Sequence, residues 1–557
     1  MKLTVRVFSG MRPVVAPDLL KPGEATTAIN TLLTGGDMTP YNQPLQVTAL
    51  TSASPVLSIY RYGQSSTSET QFWFQSTNDA NFVKGPVDQD TEEKTYYTGH
   101  LSYPAKTKNT VATASTPYPT TSLPMGLQKP AAAPSAVVSG TATDANSAAE
   151  TVVYVCTLVS AWGEEGPPSD PSASVNWRVG QTITVTLPTS GTASYPGNSN
   201  KAQAYSTKNL YRAATGASGT ATYLLVASGI PLATTTYADT TITANLGGAL
   251  LTRGWVEPPD DMKGLTQMAN GVLAGFSGST VCFCEPFVPY AWPVRYQQSV
   301  DAPVVAMAAF DQSLLVSTTR SLYVFTGADP ASITSERLAV MQTCVSKRSM
   351  VEMMGGVVFA TPDGLAYVGP GGFKLLTDGL MTRREWQAYK PDSMLGFESD
   401  NRYICFYDTG LVQRGLIFSF AQSESSFCET DVYATAGFRD RARDALYLCI
   451  NGGGSTRNIQ KWDYGASPTT LTWQSGVFRF PAPTNIAVAR LDYTGTVTFE
   501  LIADGVSRYG PATVTSQLAF KLPAGYRSMR YQVKVTGTGT VRAIELADSM
   551  TSMAAAQ

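Results

Sequence analysis

Histidine is almost absent from this sequence: among 557 residues, His100 is the only one. A chain with one histidine cannot build a metal site from a pair of histidines, and it has a single possible base for a Ser/His/Asp triad. His100 follows "KTYYTG" and precedes "LSYP". We therefore expect it in a tyrosine-rich turn and not in a triad, because no G-x-S-x-G nucleophile motif accompanies it.

Charge is also scarce. Charged residues make up 15% of the chain, against roughly a quarter in ordinary soluble proteins, and the net charge is −2. Tight binding to nucleic acid needs a basic excess gathered on one face, and this balance does not indicate one. We expect any contact with DNA to be weak or indirect and not specific for base sequence.

Long apolar runs are missing too. The longest, Ala302 to Phe310, has about half the length of a membrane helix, and the N-terminal "MKLTVRVFSG" lacks the apolar core of a signal peptide. We predict no membrane insertion by this chain. The seven cysteines are odd in number and mostly lie in strand-like runs. They are typical of reduced, buried cysteines made in a cytoplasm and not of a disulfide framework.

Motifs that carry chemistry are lacking as well. There is no Walker P-loop, and no G-x-G-x-x-G precedes a helix. Cys282 and Cys284 would lie on one face of a strand, but no second ligand pair has finger-like spacing, so packing is favoured over zinc. The acidic pair Asp260-Asp261 lacks an EF-hand pattern. The run "RDRARD", Arg439 to Asp444, alternates in sign and predicts a salt-bridged turn or a subunit contact. We predict no catalytic, cofactor-binding or metal residues and no enzyme activity.

What the sequence does contain is alternation of apolar and polar residues. Examples are "VVYVCTLV", "TITVTL", "SLYVFT", "RYICFY", "ALYLCI" and "TVTFEL", each bounded by Gly, Pro, Asn or Asp. This period of two predicts an all-β, multidomain protein. Helical candidates are few: Ala25 to Leu33 could equally be extended, and Thr382 to Lys390 is one short helix at best. The glycines at 452–454 lie between two strands and predict a hairpin turn.

Composition divides the chain into four predicted regions. Residues 1–133 form an N-terminal β platform that could contribute propeller strands, and they end in the Pro-rich linker "STPYPTTSLPMGLQKPAAAP". Residues 134–254 have closely spaced strands typical of a small fibronectin- or immunoglobulin-like sandwich. Residues 255–470 repeat a strand–turn–strand unit at intervals of about 40 to 50 residues, which indicates a β-propeller region. Residues 471–557 predict a closing β-sandwich.

Two adjacent glutamates, Glu164 and Glu165, occur in "TLVSAWGEEGPPSDPS" where a strand ends. Paired catalytic carboxylates must converge on one substrate atom. Neighbouring side chains of an extended chain point to opposite faces, so these two carboxylates cannot converge. We interpret the motif as a strand-end turn.

Four segments together resemble the tail nozzle proteins, or tail tubular proteins B, of short-tailed bacteriophages. They are "GMRPVVAPDLLKPGEATTAINTLLTGGDMTPYNQP", "YPAKTKNTVATASTPYPTTSLPMGLQKPAAAP", "YVCTLVSAWGEEGPPSDPS" with the later "KNLYRAATG", and "WQSGVFRFPAPTNIAVARLDYTGTVTFELIADG" with "KLPAGYRSMRYQVKVTGTGTVRAIELADS". All four are scaffold patterns, so the resemblance transfers architecture and assembly but no active-site residues.

The resemblance implies a structural virion protein, synthesised in the host cytoplasm, that forms a homohexameric ring at the distal end of the tail. Such a ring stacks on a tail adaptor protein, surrounds a channel for duplex DNA and offers side surfaces to tail fibre or spike proteins. Low charge agrees with this, because it leaves neutral surface for burial between subunits. The alternative is a carbohydrate-binding or glycan-processing β-protein, for which Trp386, Trp462 and Trp473 are candidate aromatic platforms.

Overall fold

A computed structural model describes residues 1–33, 35–63, 68–188, 201–214, 222–420 and 426–554. Within these ranges the chain is nearly all β, as its β-branched and aromatic alternation predicts. The α-helices described are α1 (Asn109–Thr113), α2 (Arg383–Ala388) and α3 (Met550–Ala554). Single 3₁₀ turns occur at Thr243–Asn245, Ala269–Gly271, Val294–Tyr296, Lys347–Ser349 and Pro391–Ser393. No helix in the described ranges has the length and apolarity that a membrane crossing requires.

The strands are short and follow one another along the chain. Within residues 1–78 they are β1 (Lys2–Val5), β2 (Ala25–Ile29), β3 (Thr31–Leu32), β4 (Thr39–Pro40), β5 (Leu45–Thr51), β6 (Ser58–Arg61) and β7 (Trp73–Ser76). Within residues 79–303 they are β8 (Asn81–Lys84), β9 (Thr95–Thr98), β10 (Ala105–Thr107), β11 (Leu123–Pro124), β12 (Ser135–Ser139), β13 (Glu150–Ser160), β14 (Val175–Trp177), β15 (Thr182–Thr186), β16 (Tyr205–Ala214), β17 (Leu224–Pro231), β18 (Thr236–Asp239), β19 (Lys263–Gln267), β20 (Leu273–Ser277), β21 (Thr280–Phe283) and β22 (Gln298–Ser299).

The remaining strands run from residue 304 onwards. They are β23 (Val304–Phe310), β24 (Ser313–Thr318), β25 (Leu322–Thr326), β26 (Thr334–Arg337), β27 (Val351–Met353), β28 (Gly356–Ala360), β29 (Leu365–Gly369), β30 (Gly372–Leu375), β31 (Leu395–Ser399), β32 (Arg402–Asp408), β33 (Gln413–Ser419), β34 (Ser426–Thr430), β35 (Ala436–Asp440), β36 (Ala445–Asn451), β37 (Thr456–Lys461), β38 (Leu471–Ser475), β39 (Phe478–Thr484), β40 (Val488–Thr494), β41 (Val497–Ala503), β42 (Val506–Thr513), β43 (Phe520–Lys521), β44 (Ser528–Gly537) and β45 (Thr540–Ala547).

The chain forms two compact units. The first unit comprises Met1–Asn78, Val304–Phe325 and Ser335–Gln557, and the second comprises Asp79–Pro303 with Thr326–Thr334. Each unit has hydrophobic cores of its own.

Successive antiparallel sheets fill the middle of the first unit. Their strand orders are β23-β24-β25-β26, β27-β28-β29-β30, β31-β32-β33-β34 and β35-β36-β37-β5, and the third continues from β34 through a parallel pairing with β2 as one ten-stranded sheet. The first strand of each sheet lies beside the first strand of the next. This is how propeller blades are built from consecutive hairpins. The N-terminal strand β5 completes a sheet made otherwise of residues 436–461, so the N-terminal region contributes a strand to this series of sheets. Closure of the blades into a ring stays a prediction.

The two chain ends form one sandwich, which we call the terminal sandwich and define as residues 1–33 and 471–554. One of its sheets has the order β1-β45-β40-β43, and the other runs through β2-β38-β44-β41-β42. Buried side chains of both sheets, including Val5, Leu491 and Val533, belong to one hydrophobic cluster. The predicted C-terminal sandwich therefore takes a strand from the N-terminus in each sheet.

In the second unit two further meanders occur, β8-β9-β10-β11 and β19-β20-β21-β22. Residues 134–254, which we call the module, lie between them in sequence and form the sheets β12-β15-β18 and β14-β13-β16-β17. The core between these two sheets contains Tyr154, Trp177 and Ile183. Two sheets packed in this way form the small sandwich that the strand spacing predicts.

Local predictions outside the sheets can also be compared with the structure. Residues 25–32 are extended as β2 and β3, which decides between the two conformations that the sequence leaves open. Residues 383–388 form α2, whose N-cap Thr382 and Glu385 make a reciprocal capping box. Gly453 and Gly454 have positive φ in the turn between β36 and β37, so the predicted hairpin is confirmed.

Candidate functional site

The two adjacent glutamates lie at the end of β13 and face different partners. The strand ends at Ser160, whose N–H donates to the carbonyl of Glu164 across a turn through Gly163. Glu165 accepts hydrogen bonds from Thr157 Oγ1 at 2.5 Å and from the hydroxyl of Tyr211 at 2.8 Å. Glu164 binds a separate set of residues, described next. The two carboxylates accept hydrogen bonds from different groups, as the sequence predicts for a strand-end turn.

Glu164 forms a buried ion pair with Lys106 of β10. Lys106 Nζ donates to Glu164 Oε2 at 2.5 Å and to the carbonyl of Met125 at 3.1 Å. The ammonium also lies 5.3 Å from the ring centroid of Trp162 and 5.6 Å from that of Tyr290. Burial lowers the pKa of Lys106, and the charge of Glu164 opposes this shift. Burial also raises the pKa of Tyr290 to about 12, and the carboxylate of Glu164 adds to the rise.

This pair ties the base of the module to β10 within the second unit. A charge buried among aromatic rings is costly unless a counterion satisfies it, and here Ser160 Oγ donates to the same Glu164 oxygen at 3.2 Å. The arrangement holds both groups in a fixed geometry away from water. Because the carboxylate and the ammonium bind each other, the pair acts as a structural clamp.

A groove of about 540 Å³ lies at the same base. Its lining comes from the two chain segments that enter and leave the module and from the turn after β13: Leu127, Gln128, Lys129, Pro130, Ala131, Pro167, Pro168, Gly254, Trp255, Val256 and Glu257. The indole N–H of Trp255 donates to Glu285 at 3.2 Å, and Glu257 lies 3.3 Å from Lys201. The indole N–H of Trp255 and the carboxylate of Glu257 therefore have partners within the protein. The proline and tryptophan surfaces that remain make the lining of the groove mostly apolar.

His100 lies where the sequence predicts, in the bend after β9. Its ring is 5.7 Å from that of Tyr97 and 6.1 Å from that of Phe82. Burial lowers its pKa. A histidine held against two aromatic rings serves packing.

The two cysteines of the C-x-C motif are both buried in one hydrophobic cluster with Trp292 and Leu273, so the predicted packing is confirmed. Burial raises the pKa of Cys282 and of Cys284 to about 12. Among the residues that the structure describes, no group of three His, Cys, Asp or Glu side chains has the arrangement of a metal site.

The run "RDRARD" forms the salt-bridged turn between β35 and β36 that its alternating charges predict. Arg439 pairs with Glu398 at 3.0 Å and with Asp444 at 2.5 Å. Asp440 forms a fully buried pair with Arg61 at 2.8 Å. The Arg61–Asp440 pair joins β6 to β35 within the first unit. Together these ion pairs leave the run with little free positive charge.

The acidic pair Asp260-Asp261 is divided between two partners. Asp260 pairs with Lys201 at 2.7 Å, and Asp261 accepts from Ser277 Oγ at 2.6 Å. Each carboxylate supports a turn of the second unit.

The tryptophans considered as sugar platforms are buried. Trp386 donates to the carbonyl of Thr361 at 2.8 Å, and Trp473 donates to that of Ser9 at 3.1 Å. Trp462 packs against Tyr41 with ring centroids 5.6 Å apart. A sugar platform needs an exposed ring face, which none of these three rings presents.

No pattern in the sequence indicated Lys106 or the groove. Lys106 belongs to a three-residue strand, Ala105–Thr107, which is too short for its alternation to predict burial. The groove is formed by segments more than 120 residues apart in sequence, Leu127 to Ala131 and Gly254 to Glu257, and no local pattern indicates that they meet.

Comparisons with known proteins give no family. No protein-family profile and no curated protein matches the chain. Solved structures that match include the AfRom2 CNH domain, with 10% identity, 56% of this chain and 94% of that chain covered, and a TM-score of 0.26. They also include the extracellular domain of a hybrid two-component system from B. thetaiotaomicron, with 8% identity, 89% and 97% coverage and a TM-score of 0.22. A glycoside hydrolase family 32 structure from Bifidobacterium adolescentis has 9% identity, 74% and 98% coverage and a TM-score of 0.15. At such TM-scores these matches support no conclusion about this chain.

Proposed function

We propose that this chain is a structural virion protein that forms the distal tail tube, or nozzle ring, of a short-tailed phage. In this role six copies surround the channel through which duplex DNA is ejected, bind the tail adaptor protein and offer attachment surfaces to fibres or spikes. The chain has no catalytic task in the proposal and needs no cofactor.

One observation carries the proposal: the segments that resemble the nozzle family are scaffold elements of the fold. The segment with Glu164 is the second part of strand β13 and its terminal turn, and the last segment supplies β39, β40, β41, β44 and β45 of the terminal sandwich. The N-terminal segment supplies β2, which pairs with β38. Residues used in this way serve assembly and shape, which is what a tube wall requires.

Open sheet edges give the proposal physical support. Strand β5 ends its sheet with seven uncharged residues, and β42 ends another with mostly exposed ones. Exposed edges can pair with other chains and are a liability in a free monomer. Closed cyclic assembly covers such surfaces between neighbours.

The near-neutral charge agrees with a conduit. A continuous ring of unpaired Lys or Arg would bind phosphates through release of counterions and would slow the passage of DNA. We therefore expect the channel wall to be neutral or acidic on balance. Sequence-specific contacts with DNA have no place in this function.

The carbohydrate alternative lacks a supporting site in the described part of the chain. Its three candidate tryptophans are buried, and the adjacent glutamates are engaged separately with Lys106 and Tyr211. A soluble glycan array and a reducing-sugar assay discriminate between the two functions, because only the alternative expects a signal.

The decisive experiment is cryo-electron microscopy of intact tails in which this chain is identified by a fused tag or antibody. We expect a sixfold ring coaxial with the DNA channel at the distal end. A peripheral trimer or a single copy away from the axis would overturn the assignment. The solution mass of the isolated protein tests contact between copies but not the sixfold ring, since an adaptor can supply the template for ring closure.

A further inference from the structure

Charge is distributed unevenly between parts of the chain. The terminal sandwich contains twelve basic and seven acidic residues, a net charge of +5, although the whole chain carries −2. The second unit contains twelve basic and seventeen acidic residues, a net charge of −5. Opposite charge on two parts of one chain suggests complementary surfaces.

One basic cluster of the terminal sandwich surrounds Glu545 on β45. This buried carboxylate lies 2.6 Å from Arg490, 3.4 Å from Lys2 and 3.7 Å from Arg6. Three cations share one anion, so the cluster keeps an excess of two positive charges. The side chain of Arg6 is 68% exposed, which places part of that excess at the surface.

A second cluster is centred on Asp18. Arg530 and Arg479 approach its two oxygens at 2.8 and 3.1 Å, and both guanidinium groups are at least half exposed. The carboxylate orients the two arginines and neutralises only one of them. In both clusters one carboxylate of the sandwich orients more than one cation, so positive charge remains available for contact with a partner.

Exposed apolar side chains accompany these cations. Of the 21 large apolar side chains that are exposed in the described residues, eight belong to the terminal sandwich: Met1, Val7, Val14, Leu19, Val506, Leu518, Met529 and Met550. Two of them adjoin the clusters in sequence, because Val7 follows Arg6 and Leu19 follows Asp18. Leu19 is 76% exposed.

The mixture of apolar and cationic groups distinguishes between two kinds of partner. A nucleic acid backbone would use the cations but would gain nothing from leucine, valine and methionine surfaces. A protein surface that carries carboxylates uses both, because protein interfaces combine apolar contact with complementary charge. The observations therefore favour a protein partner with acidic character.

We propose that the terminal sandwich of one copy docks against the second unit of another copy of this chain. The acidic excess of the second unit supplies the charge complementarity, and its exposed carboxylates include Asp88, Asp144, Asp170 and Asp329. Contact between two different surfaces is head-to-tail, and such contacts close into rings when the rotation permits. The inference rests on the proposed ring function and names the surfaces that would build the ring.

The first test is sedimentation velocity of the full chain at high protein concentration in two buffers, with about 0.1 M and about 1 M salt. The higher salt concentration shortens the Debye length from about 10 Å to about 3 Å. We expect self-association that weakens at high salt. The variant Arg479→Glu/Arg530→Glu should associate about tenfold more weakly or worse, because two attractive contacts become repulsive. The matched control is Arg383→Glu/Arg441→Glu, which removes two exposed, ion-paired arginines of the same unit outside the sandwich. Urea unfolding of each variant establishes that it folds.

The second test identifies the surfaces. Equal amounts of ¹⁴N- and ¹⁵N-labelled chain are joined by a carbodiimide, which links lysines to contacting carboxylates, and mixed-isotope peptides report contacts between copies. We expect links from sandwich lysines such as Lys21 and Lys521 to carboxylates in residues 79–303.

Four outcomes would overturn the inference: a chain that stays monomeric in low salt, equal association of the test and control variants, mixed-isotope links that join sandwich to sandwich, and retardation of a short DNA duplex that depends on Arg479 and Arg530. None of them concerns the position of the chain in the tail, which the microscopy decides separately. An on-axis ring that assembles through other surfaces would reject this inference and retain the proposed function.

Discussion

Lys106 and Glu164 form a salt bridge of 2.5 Å in which both side chains are buried, although 58 residues separate them in sequence. The salt bridge joins β10, which lies before the module in sequence, to the turn that follows β13, the longest strand of the module. The two glutamates of that turn are thereby explained: one balances a buried ammonium, and the other holds Tyr211.

We expect the variant Glu164→Gln to lose about 3 to 5 kcal/mol of unfolding free energy, because removal of one partner leaves a buried charge without compensation. Urea unfolding measures this loss. The double variant Lys106→Met/Glu164→Gln should recover much of it, since no buried charge remains. The control is Asp170→Asn, which breaks the exposed Lys129–Asp170 pair (56% and 73% exposed) and should cost less than about 1 kcal/mol. Equal losses at the two sites would contradict the buried-charge explanation.

Local features of the fold were predictable because short stretches of sequence determine them. Alternation indicated β13, Thr382 and Glu385 marked the start of α2, and the glycines after Asn451 marked a hairpin. Partners distant in sequence were not predictable. No local pattern shows that the strand at residues 45–51 pairs with residues 456–461.

The same limit applies to the candidate site. The divergence of Glu164 and Glu165 followed from strand geometry, whereas the identity of the cation beside Glu164 depended on how β10 packs against the module. The groove and the basic clusters around Glu545 and Asp18 likewise combine segments from different parts of the chain. No local pattern brings these segments together, so none of these sites was predicted from the sequence.

The cysteines give a prediction about reactivity. The thiolate is the reactive form, and burial raises the pKa of Cys282, Cys284 and Cys428 to about 12. At pH 8 we expect a thiol-reactive chromogenic disulfide to leave the native protein unmodified and to titrate all seven cysteines after unfolding in guanidinium. One or more rapidly reacting thiols in the native protein would show that burial in solution is incomplete.

A related measurement concerns metal. We expect elemental analysis to find less than one zinc per chain and the variant Cys282→Ser/Cys284→Ser to lose about 1 to 3 kcal/mol of stability, because two buried apolar groups become polar. Stoichiometric zinc that disappears together with the fold in this variant would reverse the interpretation of the motif.

His100 gives a prediction about pH. Its pKa in the folded chain lies below the ordinary value of 6.5 because the ring is buried, so between these two values the unfolded chain binds a proton that the folded chain does not. Stability from this group is complete above pH 6.5 and is lost as the pH falls through that window, by at most about 1.4 kcal/mol per pH unit. The variant His100→Phe keeps an aromatic ring and cannot titrate. We expect urea unfolding free energies to fall less steeply from pH 7 to pH 5 in the variant than in the parent chain, and identical slopes would rule out a contribution from His100.

Phe8 and Val7 offer a matched pair for testing the terminal sandwich. Phe8 is buried in a T-shaped arrangement with Trp473, at a centroid distance of 5.1 Å, whereas Val7 is 72% exposed. The neighbouring carbonyl of Ser9 accepts the indole N–H of Trp473, so the N-terminal segment contacts both the ring and the N–H group of this tryptophan.

We expect Phe8→Ala to lose about 3 to 5 kcal/mol, because it removes a large buried ring and leaves a cavity beside Trp473. Val7→Ala should change stability by less than about 0.5 kcal/mol, since the side chain faces solvent. Phe8→Leu should give an intermediate loss, because part of the cavity is filled. Unfolding free energies from urea titration, followed by tryptophan fluorescence, measure all three. If Phe8→Ala were as harmless as Val7→Ala, strands from the two chain ends would not share a core, and the terminal sandwich would have to be built from residues 471–554 alone.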